Sequence, residues 1–170
     1  MALLGKRPPA EARKLLDRSE HIVTWADTSG GVPLIVTNLG LWWPEDTGPR
    51  RISWALVDKA VWSEDTLTVT EAEVQDDLLL VEQVPKSVTL AQPRTVPPAV
   101  RKRVEFTVAQ RHEVLVSGRP VRIVARRVPG QDGLKWWARL PDDLPDGPTV
   151  RAELAAAIER LRGAEADPTL

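Results

Sequence analysis

The chain has 170 residues, 42% hydrophobic and 28% charged, with a formal net charge of −1. That is enough for one cored domain plus an appendage, and it excludes a largely disordered chain. With no cysteine, no tyrosine, one methionine and two histidines, the sequence excludes disulfides, thiolate metal centres, iron–sulfur clusters, cysteine nucleophiles and histidine-rich metal sites. No apolar run reaches the ~20 residues of a membrane span and the start lacks a signal-peptide core, so a cytoplasmic location is the expectation.

Residues 8–18 read as a short helix, with Pro8 and Pro9 in its first turn and Leu15 and Leu16 as an apolar edge. A strand follows through Ile22, Val23 and Trp25, then a turn at Ser29, Gly30 and Gly31. VPLIVTN is a second strand. A tight turn at Asn38 and Gly40 leads into a third, in which Trp42 and Trp43 take opposite faces. In RRISWALVDKAVW, Ile52, Trp54 and Leu56 alternate and the phase then shifts, which predicts a bend or bulge near Asp58. A turn at Glu64 and Asp65 precedes a strand with Leu67 and Val69 on one face, and LLLVEQV and SVTLAQP add two short strands. Strand after strand at short spacing predicts an antiparallel barrel or sandwich.

The pattern changes at Thr95, a candidate N-cap for a helix over about 97–108 with Pro97 and Pro98 in its first turn. Val100, Val104 and Val108 recur at helical spacing. VLVSGRPVRIV then predicts a hairpin turning at Ser117 and Gly118. Val114 faces Val121, His112 faces Ile123, and Glu113 faces Arg122 as an opposite-charge pair. LKWWARL is a third strand of this meander. Its Trp136 and Trp137 point to opposite faces, one to the core and one toward arginines. Val150, Leu154, Ile158 and Leu161 form the apolar stripe of a last helix, opened near Asp146 and ended by Gly163.

Charge is segregated along the chain. Residues 58–82 hold eight acids and one base, residues 94–139 hold eleven bases and three acids, and residues 141–170 hold seven acids and three bases. Either the basic stretch forms a face for a polyanion, or it neutralises the acidic stretches within the fold.

The segment from Gly30 to Glu73 resembles the bacterial pleckstrin-homology-like (GRAM-like) domains, and the whole chain is similar to an actinobacterial group of that kind. The resemblance rests on Val36-Thr37-Asn38, Leu39 to Trp43, Arg51-Ile52-Ser53-Trp54, Val57 and Leu67 to Val69. It implies a strongly bent seven-stranded antiparallel barrel closed by a helix, for which 97–108 is the candidate. The expected class is therefore α+β: an N-terminal arm over 1–19, the barrel with its capping helix over 20–109, a β-meander with an amphipathic helix over 110–164, and a tail over 165–170. Phosphoinositide-binding members carry basic residues around their first two strands; here that loop reads ADTSGGVP, with one acid and no base.

Gly30-Gly31 lacks the spacing of a phosphate loop, no serine sits in a nucleophile elbow, and Asp76-Asp77 and Asp142-Asp143 lack a calcium-loop pattern. The reading assigns no catalytic residue, metal or cofactor. It expects a non-catalytic interaction or adaptor module that binds a protein through an exposed sheet edge or a groove beside the capping helix. The alternative is a polyanion surface, nucleic acid or acidic lipid, built from Arg101, Arg103, Arg111, Arg122, Arg126, Arg127 and Trp136. A small ligand inside an open barrel is a further option.

Overall fold

A computed structural model describes residues 8–166. Residues 1–7 of the expected N-terminal arm and residues 167–170 of the expected tail lie outside the described residues. The elements are α1 (Ala10–Lys14), β1 (Ile22–Ala26), β2 (Leu34–Thr37), β3 (Gly40–Trp43), β4 (Arg50–Ser53), a 3-10 turn (Trp54–Leu56), β5 (Val57–Ser63), β6 (Thr66–Gln75), β7 (Leu79–Glu82), β8 (Lys86–Thr89), α2 (Val96–Thr107), β9 (Val108–Val116), β10 (Arg119–Arg127), β11 (Leu134–Arg139) and α3 (Pro148–Ala166). The class is α+β, with a curled half-barrel of sheet and a C-terminal helix.

The first four strands form an antiparallel sheet in chain order. Gly40 is required where β3 meets β4, because a Cβ there would stand 2.5 Å from the Ile52 carbonyl oxygen. The expected break near Asp58 is a composite feature. The 3-10 turn redirects the chain after β4, and the pairing of β5 with β6 then slips between Val57 and Lys59. Trp54 pins this corner: its side chain is fully buried and its indole N–H donates to the Thr37 carbonyl at 2.8 Å.

β6 is long enough to pair with β8 along its first half and with β7 along its second. The second sheet continues in the order β5-β6-β7-β11-β10-β9. It is not wholly antiparallel. The hairpin and meander fix the direction of β11, which meets β7 in parallel at the Ala138 and Leu79 pair. Strands on both sides of the boundary expected near residue 110 thus share one sheet.

Apolar burial is divided into two main cores. The first is enclosed by the four-stranded sheet, β5, β6 and α2, and contains Leu34, Leu41, Trp43, Ile52, Trp54, Leu67 and Val100. The second lies between α3 and the β7, β9, β10 and β11 strands, and contains Val121, Ile123, Trp136, Leu154 and Ile158. A small cluster of Ala55, Ala72, Leu80, Val124 and Trp137 covers the other face of those strands.

The β9–β10 hairpin has the expected register. Ser117 and Gly118 both have positive φ, 48° and 75°, as a primed two-residue turn requires. The non-glycine Ser117 is held there by Glu153 of α3, whose carboxylate accepts from its backbone N–H at 2.7 Å and its hydroxyl at 3.0 Å. Three expectations are corrected. Trp136 and Trp137 do face opposite ways, yet both are buried, at 3% and 5% exposure, because apolar side chains cover the sheet on both faces. Gly163 does not end α3: it lacks the positive φ of a glycine cap and the helix runs on to Ala166. Thr95 precedes α2 without capping it, and its hydroxyl instead lies 2.7 Å from that of Thr24.

Candidate functional site

The seven candidate surface residues separate into buried, paired and open groups. Arg126 leaves the surface altogether. It is 4% exposed, and its guanidinium donates to the Ala55 carbonyl at 2.8 Å and to Asp58 at 3.0 Å. Asp58 is itself buried and also accepts from Arg139, whose guanidinium bridges onward to Glu82 at 3.0 Å. Burial pulls both guanidiniums below their usual range, and for Arg126 the charge of Arg111 adds to the effect. Acidic residues of 58–82 therefore neutralise basic residues of 94–139 where the two stretches meet. The break at Asp58 serves this end: the slipped register takes Asp58 out of the β5–β6 ladder and leaves it beside Arg126 and Arg139.

Trp136 is also removed from the candidate surface. It packs under α3 and stacks on His112, with ring centroids 5.8 Å apart. Arg111 and Arg122 are exposed on one face of the β9–β10 hairpin, as expected. Arg122 sits directly across from Arg139 and Glu113, in a cleft of about 670 Å³ that also carries Glu82, Asp142 and Asp146. That cleft is of mixed charge and is a poor polyanion seat. Arg101 is exposed on α2 and pairs with Glu105 at 2.9 Å. Arg103 and Arg127 come together from α2 and β10 in a separate cleft beside Phe106.

A groove lies beside α2. Ala60, Trp62 and Leu67 form one side, and Pro97, Pro98, Val100 and Val104 of α2 form the other, around a volume of about 560 Å³. Alternation along β5 produces it: Ala60 and Trp62 pack inward against the first core while Lys59 and Val61 stand in solvent. Val61 is 58% exposed. β5 is an edge strand, pairing with β6 only among the described residues. Its free edge has backbone donors and acceptors of its own, beside an apolar trough. Pro97 and Pro98 suit the start of α2, where an N–H has no helical acceptor to lose, so they line the groove at no cost in helix hydrogen bonds.

Trp43, Trp54, Ile52 and Leu67 are among the side chains that occupy the interior of the first core. Around its outside lies a second polar centre that the sequence reading did not single out. Glu20 is buried, and its carboxylate accepts from Thr37 at 2.6 Å, from the Trp42 indole at 2.9 Å and from Arg51 at 2.7 Å. Burial alone would raise its pKa. These donors, with the Asp17 backbone N–H, outweigh burial and hold the carboxyl below its ordinary range. Trp42, which faces away from the first core, is committed to this centre.

No family model, curated protein or solved structure matches the chain.

Proposed function

We infer that the chain is a non-catalytic interaction module that takes an extended segment of a protein partner along the free edge of β5. The observation that carries this reading is the juxtaposition of an unpaired strand edge with the apolar groove between β5 and α2. In such an arrangement, main-chain hydrogen bonds to the edge supply affinity and alternate side chains of the partner enter the trough. A pleckstrin-homology-like reading of residues 20–109 agrees with it. Strands followed by a helix packed on β5 support it, while eight strands in two sheets stand where the resemblance implies seven in one antiparallel barrel. The parallel joint between β7 and β11 and the added α3 depart from the minimal domain.

The test is affinity capture with the full chain, quantified against Val104→Asp and Pro98→Asp variants, both lining the groove, at about 0.5 M salt, where exposed charge attraction is largely screened. A partner retained by wild type and lost with both variants supports the reading. Equal retention by all three sinks it. The polyanion alternative is tested on a heparin column with Arg111→Glu and Arg122→Glu together, both being exposed residues. It requires retention by wild type that falls steeply with salt and is lost in the variant.

A further inference from the structure

On the opposite flank of α2 from the β5 groove lies a cleft of about 340 Å³ with a different chemistry. Along a helix of 3.6 residues per turn, Arg103, Phe106 and Thr107 point away from Pro97, Arg101 and Glu105, so the two concavities share a helix but not a face. Leu39, Pro129 and the buried Trp54 give the cleft apolar walls. Phe106 is 64% exposed at its rim, an unusual place for the chain's one phenylalanine.

The electrostatics of this cleft are one-sided. Among the described residues, its lining carries two guanidiniums, Arg103 and Arg127, and no carboxylate. The β5 groove has Glu105 beside Arg101, and the cleft at Arg122 and Arg139 has four acids. Neither Arg103 nor Arg127 has a carboxylate partner among the described residues, in contrast to Arg126 and Arg139. Arg127 is also fixed in place. One of its nitrogens donates to the Phe106 carbonyl at 2.9 Å, and its guanidinium lies 4.9 Å from the centre of the Phe106 ring. That uses one of five guanidinium donors and leaves the others for a ligand.

We propose that this cleft is a second docking site, which accepts an acidic peptide segment of a protein partner. An apolar side chain of the segment rests against Leu39, Pro129 and Phe106, and a neighbouring carboxylate is bound by Arg103 and Arg127. Arginine and phenylalanine are both enriched at protein–protein interfaces. The volume, at the small end of the ~300–1,000 Å³ range of ligand pockets, holds a side chain rather than a large cofactor. An anionic bilayer is the weaker fit. Two cations contribute only about 1 kcal/mol each at such a surface, and the site is concave with one exposed aromatic.

The experiment is an NMR titration of the full ¹⁵N-labelled chain. The probe is an acetylated, amidated pentapeptide with phenylalanine at its centre and aspartate or glutamate at the other four positions. Saturable shifts are expected at residues 103–107 and 127–130. Arg103→Gln and Arg127→Gln each weaken binding about tenfold, as the loss of one charge-assisted contact predicts, and Phe106→Ala weakens it as well. Arg103→Gln keeps the test sound should Arg127→Gln disturb the 127–130 loop. The same peptide with asparagine and glutamine in place of the acids binds no more than weakly. The proposal is overturned by an absence of shifts up to about 5 mM peptide, by shifts confined to Trp62 and Val104, or by phosphatidylserine vesicles competing for Arg103 where the peptide does not. Shifts at Trp62 and Val104 report on the β5 groove separately, so the two sites fail independently.

Discussion

The two main cores differ in how they are closed. The second is sealed by α3, whose Leu154 and Ile158 lie flat on the sheet and whose Glu153 and Arg151 reach the hairpin turn and Asp76. The first is closed by α2, which covers Val96 and Val100 but leaves a groove along one flank and a cleft along the other. The difference lies in the sequences of the two helices. α3 is rich in alanine and lays Val150, Leu154, Ala157 and Ile158 on β9 and β11. α2 begins with two prolines and carries a run of arginine and lysine; it touches β1, β2, β5, β9, β10 and the 3-10 turn but buries only Val96, Val100 and Thr107 along its length. A helix that seals a core stabilises; a helix that leaves concave flanks offers surfaces to a partner.

The joint between the cores is ionic. Arg126 reaches from β10 to the carbonyl of Ala55 and to Asp58, and the two arginines on Asp58 are largely buried. Removing the acid alone leaves two cations in a poorly solvated place. Asp58→Ala is therefore expected to cost about 3–5 kcal/mol in chemical denaturation, the largest effect among these variants. A loss under about 1 kcal/mol would mean that solvent reaches the pair and the cores are joined by apolar contact alone.

Leu154→Ala comes next, at about 2–5 kcal/mol, because it opens a cavity in the sealed core. The continuous sheet and the Asp58 joint predict that the variant still unfolds in one transition. Coincident tryptophan-fluorescence and circular-dichroism curves check this, and separated curves would show that the cores unfold independently.

Glu20→Gln is expected to cost about 1–3 kcal/mol at neutral pH, since the amide would turn donors toward Arg51 and the Asp17 N–H. The sign of its pH dependence follows from a lowered folded-state pKa. The stabilisation is present above the ordinary carboxyl value of 4.5 and is lost as pH falls through the depressed value. Wild-type stability should thus fall more steeply than that of Glu20→Gln below about pH 4.5. Parallel curves would remove Glu20 from the account of acid sensitivity. Glu71 and Glu45, lowered chiefly by hydrogen bonds from Arg50, act in the same direction in both proteins and cancel in the comparison.

The smallest effect is expected on the outer face of β5. Val61→Lys places a charge on an exposed edge position and should change stability by no more than about 0.5 kcal/mol. A larger loss would mean that the edge is covered, and would turn the open core into a second sealed one.

Much of the fold was legible in local pattern. The Ser117-Gly118 turn, the register of Glu113 against Arg122 and the helix after Thr95 follow from turn chemistry and periodicity, which act over a few residues. The phase break at Asp58 was legible as a break, but its purpose was not, because its partners lie far along the chain. Charge segregation was plain in the sequence, while the choice between an open basic face and internal pairing was not. Only the tertiary structure decided that Arg126 and Arg139 are neutralised while Arg103 and Arg127 come together with no acid beside them among the described residues. The burial of both Trp136 and Trp137 was decided at the same level. Alternation puts them on opposite faces, but whether a face is wet depends on what packs against it. The sequence by itself determined the strands, turns and helices, since these depend on neighbours in the chain. Which surfaces remain open to a partner was fixed by contacts between residues more than sixty positions apart, which no local pattern encodes.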